Sequence, residues 1–247
     1  RNTSVKTRFL GKKTPGISKY SPKILEKVER ANIQSMSSFF GCDFWNAYEF
    51  SFLNSFSQPV LETLEIIIPM TSLNTVESKS LKLYLASFYN KKFSNIQNAL
   101  KLIEKDLYKL VKTKVSVTKV KKHPEPPQSL LVNNKKNLIP KNKIIRFEGF
   151  RSICPVTNQP DWANIYIHSS DDQIDAKKLN RLLKSYREHG DFHETCIESI
   201  FLLLLDDFKL SNVTIFGRFL RRGGIDINPL RSTQSKLLFS NFRDLSQ

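Results

Sequence analysis

The chain lacks most features that mark metal-bound, disulfide-linked or membrane-inserted proteins. Its 247 residues include only three cysteines, an odd number that cannot pair completely, and no Cys-x-x-Cys spacing predicts a metal site. The most apolar run, Ile200 to Leu205, is far shorter than the ~20 residues that a membrane-spanning helix needs. No Gly-x-Gly-x-x-Gly fingerprint occurs, so a Rossmann-type dinucleotide site is not predicted. Reduced thiols, no metal and a cytoplasmic location are the simplest expectation.

Acidic residues are scarce beside basic ones. The chain has 39 Lys and Arg against 23 Asp and Glu, a formal net charge of +16, which often marks a polyanionic partner. Many of these lysines fall between Lys112 and Lys143, among proline-rich and asparagine-rich stretches typical of a connector. No RNA-recognition signature is present. We therefore predict a solvated basic linker and no direct nucleic-acid binding.

One turn-rich segment contains residues suited to covalent chemistry. Cys154 precedes Asp161 by seven positions, and Pro155 and Pro160 restrict the backbone between them, which predicts a stiff, exposed loop. A cysteine is a nucleophile as its thiolate, and a partly buried aspartate can exchange protons with a substrate. A lone cysteine is, however, commonly a small buried apolar residue, and an aspartate after proline is commonly a turn residue. The segment alone leaves both interpretations open.

The second half of the chain is similar to the first at a shift of 98 or 99 positions. Apolar patterns within the matched segments predict the order strand, strand, helix, helix, strand in each half. Two unrelated α+β halves are the alternative. The matched segments are Tyr48 to Phe50 with Phe147 to Gly149, Leu64 to Ile68 with Ala163 to Ile167, Leu81 to Phe88 with Leu179 to Tyr186, Phe93 to Leu107 with Phe192 to Asp206, and Val115 to Val117 with Val213 to Ile215.

Several further motifs occur in a fixed order along the chain. They are Tyr48 to Asn54, Glu77 to Ser80, Cys154 to Trp162, Phe192 to Glu194 and Arg221 to Pro229. Together they resemble the NADPH-dependent 7-cyano-7-deazaguanine reductases, the nitrile reductases of queuosine biosynthesis, which contribute to tRNA modification. The resemblance covers nearly the whole chain from Leu10 onward.

The resemblance implies an α+β fold of two tandem tunnelling-fold (T-fold) modules, each an antiparallel sheet with two helices packed on one face. It predicts an N-terminal segment over 1–39, a first module over 40–120, a basic linker over 121–146 and a second module over 147–247. A homodimer is also predicted.

The resemblance further implies the chemistry. Cys154 attacks the nitrile carbon of 7-cyano-7-deazaguanine to give a covalent thioimide, and Asp161 donates the proton that the nitrogen requires. NADPH is the implied cofactor, and two equivalents give the 7-aminomethyl product.

Binding residues are implied in both halves. Carboxylates at Glu77 and Glu194 suit the donors of a guanine-like edge. His193, Val76 and Ser78 are assigned beside them, and Phe192 is a stacking platform on the general value of aromatic rings for bases. Without the resemblance, the segment around Phe192 would be an ordinary helix start with Asp191 as its cap. The implied cofactor contacts are Ser78, Lys79, Arg222 and Gly223.

The two halves supply different parts of this site. Glu77 belongs to the first module and Cys154 to the second, so we predict a site assembled across the modules. Two other function classes remain open. A cysteine-dependent nitrile or amide hydrolase would use the same thiol without NADPH, whereas a non-catalytic purine-binding or RNA-binding protein would have no use for Cys154.

Overall fold

The computed structural model describes residues 7–14, 17, 19–132 and 138–247. Parts of the predicted N-terminal segment, residues 1–6, 15, 16 and 18, and the stretch 133–137 of the predicted linker lie outside the described residues. The chain divides into two compact units, each built from three segments. The first unit comprises Arg1–Ala31, Phe44–Lys122 and Arg221–Asp226, and the second comprises Asn32–Asp43, His123–Leu220 and Ile227–Gln247.

The first unit contains an antiparallel sheet and two helices. Strand β5 pairs with β3, with Leu64 opposite Lys119, and β3 is followed by β2 in the sheet, while β1 and β4 form a separate antiparallel pair. The bounds are β1 (Lys27–Glu29), β2 (Phe40–Leu53), β3 (Pro59–Pro69), β4 (Asn74–Val76), α1 (Ser78–Ala86), α2 (Ile96–Val111) and β5 (Ser116–Lys119), with a 3-10 turn at Pro22–Ile24. The first four residues of β2 belong to the second unit.

Local sequence explains where the two helices begin and which faces they bury. Asn95 caps α2 by accepting a hydrogen bond from the Asn98 N–H, because a short polar side chain can satisfy a donor that the helix leaves unpaired. Lys112 ends that helix in the left-handed conformation. The predicted apolar stripe on α1 is buried at Leu81, Tyr84 and Leu85, and Phe88 beyond the end of the helix is buried too.

A buried carboxylate fastens the N-terminal segment to the first unit. Asp106 of α2 accepts hydrogen bonds from the hydroxyls of Tyr20, at 2.5 Å, and Tyr84, at 2.8 Å. Burial and the neighbouring carboxylate raise the pKa of both phenols, so both remain neutral donors. Tyr20 therefore ties the chain before β1 to both helices.

The second unit has a larger sheet and two further helices. Its strands run in the order β12, β11, β9, β8, β6, antiparallel except for the parallel pair β6 and β8, and β10 pairs separately with β7. The bounds are β6 (Leu130–Leu131), β7 (Leu138–Ile139), β8 (Lys143–Ile153), β9 (Pro160–Ser169), β10 (Ile174–Asp175), α3 (Ala176–Ser185), α4 (His193–Asp206), β11 (Val213–Phe219) and β12 (Ile225–Ser232), with a 3-10 turn at Tyr186–Glu188. The first two residues of β12 belong to the first unit.

A buried arginine joins three segments of the second unit. Arg231 of β12 is fully buried and lies 2.8 Å from Asp43 Oδ1 and 2.7 Å from Glu198 Oε1 of α4. Burial opposes the charge, but the two carboxylates outweigh it and raise the pKa of Arg231. The guanidinium thus stays charged with both carboxylates as partners.

Both units confirm the predicted α+β class and the order strand, strand, helix, helix, strand. In the first unit this order is β2, β3, α1, α2, β5, with α2 packed against β5, and in the second it is β8, β9, α3, α4, β11, with α4 packed against β11. The fold is that of two tandem T-fold-like modules. Strands β6 and β7 and the start of β8 fall within 121–146, and the domain boundaries stay a prediction.

Candidate functional site

Cys154 lies on the turn of the β8–β9 hairpin. Its backbone N–H donates to the Gln159 carbonyl at 2.9 Å, and its carbonyl accepts from the Asn158 N–H at 3.0 Å. Asn158 has a φ of +54°, in the left-handed region that asparagine tolerates better than most residues. The thiol of Cys154 is half-buried. These two backbone hydrogen bonds close the turn and fix the position of the cysteine backbone.

Gly190 packs against the strand that leads into this turn. A Cβ atom at Gly190 would lie 2.6 Å from the Ile153 nitrogen and 2.8 Å from its carbonyl oxygen, so only glycine fits without a backbone shift. The loop before α4 therefore contacts the residue directly before Cys154. Nothing in the sequence around Gly190 had indicated this contact.

Asp161 lies near Cys154 on the same hairpin. Ile153 pairs with Pro160 and Ser152 with Asp161, so Asp161 lies on the second rung from the turn. Its side chain is only 5% exposed, and its Oδ2 lies 3.4 Å from His193 Nε2. A buried carboxylate next to a titratable imidazole is suited to proton transfer.

His193 is held by stacking as well as by Asp161. Its ring lies flat on the Phe219 ring, with centroids 3.9 Å apart and planes 5° apart. Its Nδ1 atom is buried and has no hydrogen-bond partner among the described residues. Sequence reasoning missed Phe219, because an apolar residue at the end of a late strand gives no sign of the ring it will contact.

The first turn of α4 presents the remaining predicted residues of the second unit. Glu194 is 6% exposed, and Phe192 is the N-cap residue, without a side-chain cap. Asp191 is therefore not the cap. Its carboxylate instead accepts the Phe192 N–H at 2.7 Å. The backbone N–H of Asp191 donates to Cys196 Sγ, and its backbone carbonyl accepts from the same thiol. Burial raises the pKa of the Cys196 thiol to about 12.

Glu77, in the first unit, caps α1. Its Oε1 accepts from the Lys79 N–H at 2.7 Å and its Oε2 from the Ser80 N–H at 2.8 Å, and the side chain is almost fully buried. Burial raises the pKa of Glu77, an effect that these two hydrogen bonds oppose and the nearby Glu26 charge adds to. Val76, also buried, is the last residue of β4.

The predicted cofactor residues occupy two places in the first unit. Ser78 and Lys79 open α1, and Lys79 Nζ donates to the Lys12 carbonyl. Arg222 begins a two-residue turn whose backbone bonds to Ile225 in both directions, and Gly223 within it has a φ of +54°. Such a turn requires residues that accept positive φ.

The predicted site residues thus fall into two groups. Those of the second unit are Cys154, Asp161, Phe192, His193 and Glu194, with a direct contact between Asp161 and His193. Those of the first unit are Val76, Glu77, Ser78, Lys79, Arg222 and Gly223. Assembly of the two groups into one site stays a prediction, as do the individual roles.

Metal-binding clusters and membrane-spanning helices would each bear on function. Among the described residues, no three His, Cys, Asp or Glu side chains are arranged to hold a metal ion. None of the helices in the part of the chain that the structure describes has the length and apolarity to cross a membrane.

The order strand, strand, helix, helix, strand in both units is that of tandem T-fold-like modules. A family model described as nitrile reductase, 7-cyano-7-deazaguanine-reductase N-term, matches residues 17–119, and one described as QueF-like protein matches residues 160–237. The chain is 36% identical over 266 aligned positions to the NADPH-dependent 7-cyano-7-deazaguanine reductase of Coxiella burnetii (strain Dugway 5J108-111), covering 96% of each chain. It is 35% identical over 269 positions to the enzyme of the same name from Burkholderia cenocepacia (strain HI2424), covering 96% of this chain and 98% of the relative. The chain belongs to the 7-cyano-7-deazaguanine reductase family.

Proposed function

We propose that this chain reduces the nitrile of 7-cyano-7-deazaguanine to the aminomethyl group with NADPH, in queuosine biosynthesis. The family and the names of the relatives support the overall reaction. The observation that carries the chemistry is the hairpin of the second unit, where the turn with Cys154 is followed on the second rung by the buried Asp161. Covalent capture needs such a pair, a nucleophile and a proton donor a short distance apart.

In the first step, the Cys154 thiolate attacks the nitrile carbon. A C–S bond forms, one C–N π bond breaks, and its electron pair takes a proton from Asp161, giving the thioimide. The contact with His193 gives Asp161 a neighbour through which a proton can be restored. When bound, NADPH would provide the hydride for the captured carbon and, once the thiol of Cys154 has left, for the remaining C=N bond.

Two carboxylates are assigned to recognition of the base. Glu194 is buried at the start of α4, next to the stacked His193. Glu77 already accepts two backbone N–H groups, but a carboxylate offers about four lone-pair sites, so it can still accept the donors of a guanine-like edge. Phe192, Val76 and Ser78 complete the proposed substrate contacts.

The residues proposed for NADPH fit an anionic dinucleotide. Lys79 and Arg222 are cations, Ser78 offers a hydroxyl, and the Gly223 turn lets a ligand approach backbone atoms without a side chain between them. These residues would hold the phosphates and leave the chemistry to Cys154 and Asp161.

Replacement of Asp161 tests the proposed proton transfer. Asp161→Asn keeps the shape of the side chain and removes the acid, so kcat should fall about 10²- to 10⁴-fold. Stopped-flow measurement of thioimide formation should show a slow first step, with wild-type circular dichroism. Unchanged kcat in a folded Asp161→Asn protein would exclude Asp161 as the proton donor.

The homodimer and the cytoplasmic location are further parts of the proposal. Sedimentation tests the homodimer, and cell fractionation tests the location.

A further inference from the structure

A groove of about 190 Å³ in the first unit lies beside the proposed cofactor residues. Its apolar wall is formed by Phe50 of β2 and by Leu83, Leu85 and Ala86 of α1. The two-residue glycine turn after Arg222 forms another wall, and the charged side chains in the lining are Lys82 and Glu49. The groove is smaller than pockets that hold a whole cofactor-sized ligand, about 300 to 1,000 Å³, so it fits one fragment of such a molecule.

Both charged side chains lie directly over the glycine turn. A Cβ atom at Gly223 would be 3.1 Å from Lys82 Nζ, and one at Gly224 would be 2.6 Å from a carboxylate oxygen of Glu49. Both glycines also have positive φ, +54° and +78°. The turn therefore brings bare backbone between a cation and a carboxylate, which a residue with a side chain would not allow.

Lys82 also continues the row of proposed cofactor residues along α1. It follows Ser78 by four positions and Lys79 by three, so it occupies the same face of the helix one turn further on. Arg222 directly precedes the two glycines of the lining, and its backbone closes their turn through hydrogen bonds with Ile225. A ligand anchored at the start of α1 would meet a second cation in this groove.

We propose that this groove binds a ribose-phosphate portion of NADPH, with Lys82 on a phosphate and Glu49 accepting hydrogen bonds from ribose hydroxyls. The inference rests on the proposed NADPH-dependent function and adds two residues to its cofactor site. The lining matches the ligand group by group. An ammonium suits a phosphate, a carboxylate suits a sugar diol, and the apolar wall suits the face of the sugar ring.

Matched lysine variants test this assignment. Lys82→Gln removes the charge at the groove, and Lys101→Gln removes the same charge from the exposed face of α2. We expect Lys82→Gln to raise both the Kd and the KM of NADPH at least tenfold and to leave kcat within twofold of wild type. The Kd is measured from the fluorescence of the nucleotide. Lys101→Gln should leave both constants unchanged. Lys82→Arg should restore most of the affinity, and Glu49→Gln should raise KM several-fold.

NADH distinguishes which phosphate Lys82 contacts. A rise in Kd for both nucleotides indicates the shared pyrophosphate, whereas a rise for NADPH alone indicates the 2′-phosphate. Equal NADPH affinity in Lys82→Gln and Lys101→Gln overturns the inference.

Mass spectrometry of the substrate adduct, which needs no NADPH, separates this result from failure of the proposed function. If the groove inference alone is wrong, wild type still forms the adduct and oxidises NADPH; if the proposed function is wrong, it does neither.

Discussion

At the scale of single residues, the two carboxylates proposed for chemistry and recognition are buried in different ways. Glu77 is held by two backbone N–H groups at the start of α1, and Asp161 lies against the imidazole of His193. Hydrogen bonds from backbone N–H groups favour the ionised form, whereas burial favours the neutral form. For Glu77 the balance of these effects decides how the group responds to pH.

Glu77 should make stability depend on pH in a defined direction. Burial raises its pKa in the folded state, so its favourable contribution is present below the ordinary glutamate value and is lost as the pH rises through the raised value. Glu77→Gln keeps an oxygen for the helix cap and removes the charge. Urea unfolding at pH 4 and pH 7 should show wild type losing stability relative to Glu77→Gln at the higher pH. A gain for wild type would mean that the capping hydrogen bonds outweigh burial.

At the scale of elements, the β8–β9 turn determines where Cys154 lies. Asn158 adopts positive φ and is exposed, so its side chain contributes by conformation rather than by packing. Asn158→Val should destabilise the protein by roughly 1 to 2 kcal/mol, the cost of left-handed backbone for a β-branched residue, and should slow adduct formation. Asn158→Gly is the matched control and should lose little stability. Thermal unfolding of both variants checks this, and equal melting temperatures would contradict it.

The predictable elements are those with local, periodic signals. The apolar stripes of α1 and α3 recur at helical spacing, which is why the order of elements in each half could be predicted. Strand β12 could not, because it contains Pro229 and polar residues that are buried only through distant partners. Without the resemblance, Asp191 would be interpreted as the cap of α4, but its carboxylate accepts the neighbouring Phe192 N–H and Phe192 is the N-cap residue. The glycine requirement at position 190 arises from the Ile153 backbone, 37 positions earlier.

At the scale of the whole molecule, buried charges join segments far apart in sequence. Arg231 forms ion pairs with Asp43 and Glu198 inside the second unit. No sequence pattern predicted this three-residue cluster. The family resemblance supplied candidate site residues. The contact between Asp161 and His193, and the stacking of His193 on Phe219, could be seen only in the three-dimensional structure. Such contacts depend on how strands and helices pack, which local sequence does not specify.

Removal of the buried guanidinium should be costly. Arg231→Met leaves Asp43 and Glu198 buried without their cation, so the free energy of unfolding should fall by about 3 to 5 kcal/mol in urea titrations. Arg181→Met, on the exposed face of α3, is the control and should stay within about 0.5 kcal/mol of wild type. A loss below about 1 kcal/mol for Arg231→Met would show that the cluster relaxes or admits water.

The central claim is covalent capture of the nitrile by Cys154, and intact-mass spectrometry tests it most directly. Wild type, Cys154→Ala and Cys42→Ala are each mixed with 7-cyano-7-deazaguanine without NADPH. Wild type and Cys42→Ala should gain the mass of one ligand, Cys154→Ala should not, and added NADPH should discharge the adduct as the amine. Folded wild type that forms no adduct, or an adduct that persists in Cys154→Ala, would contradict the account.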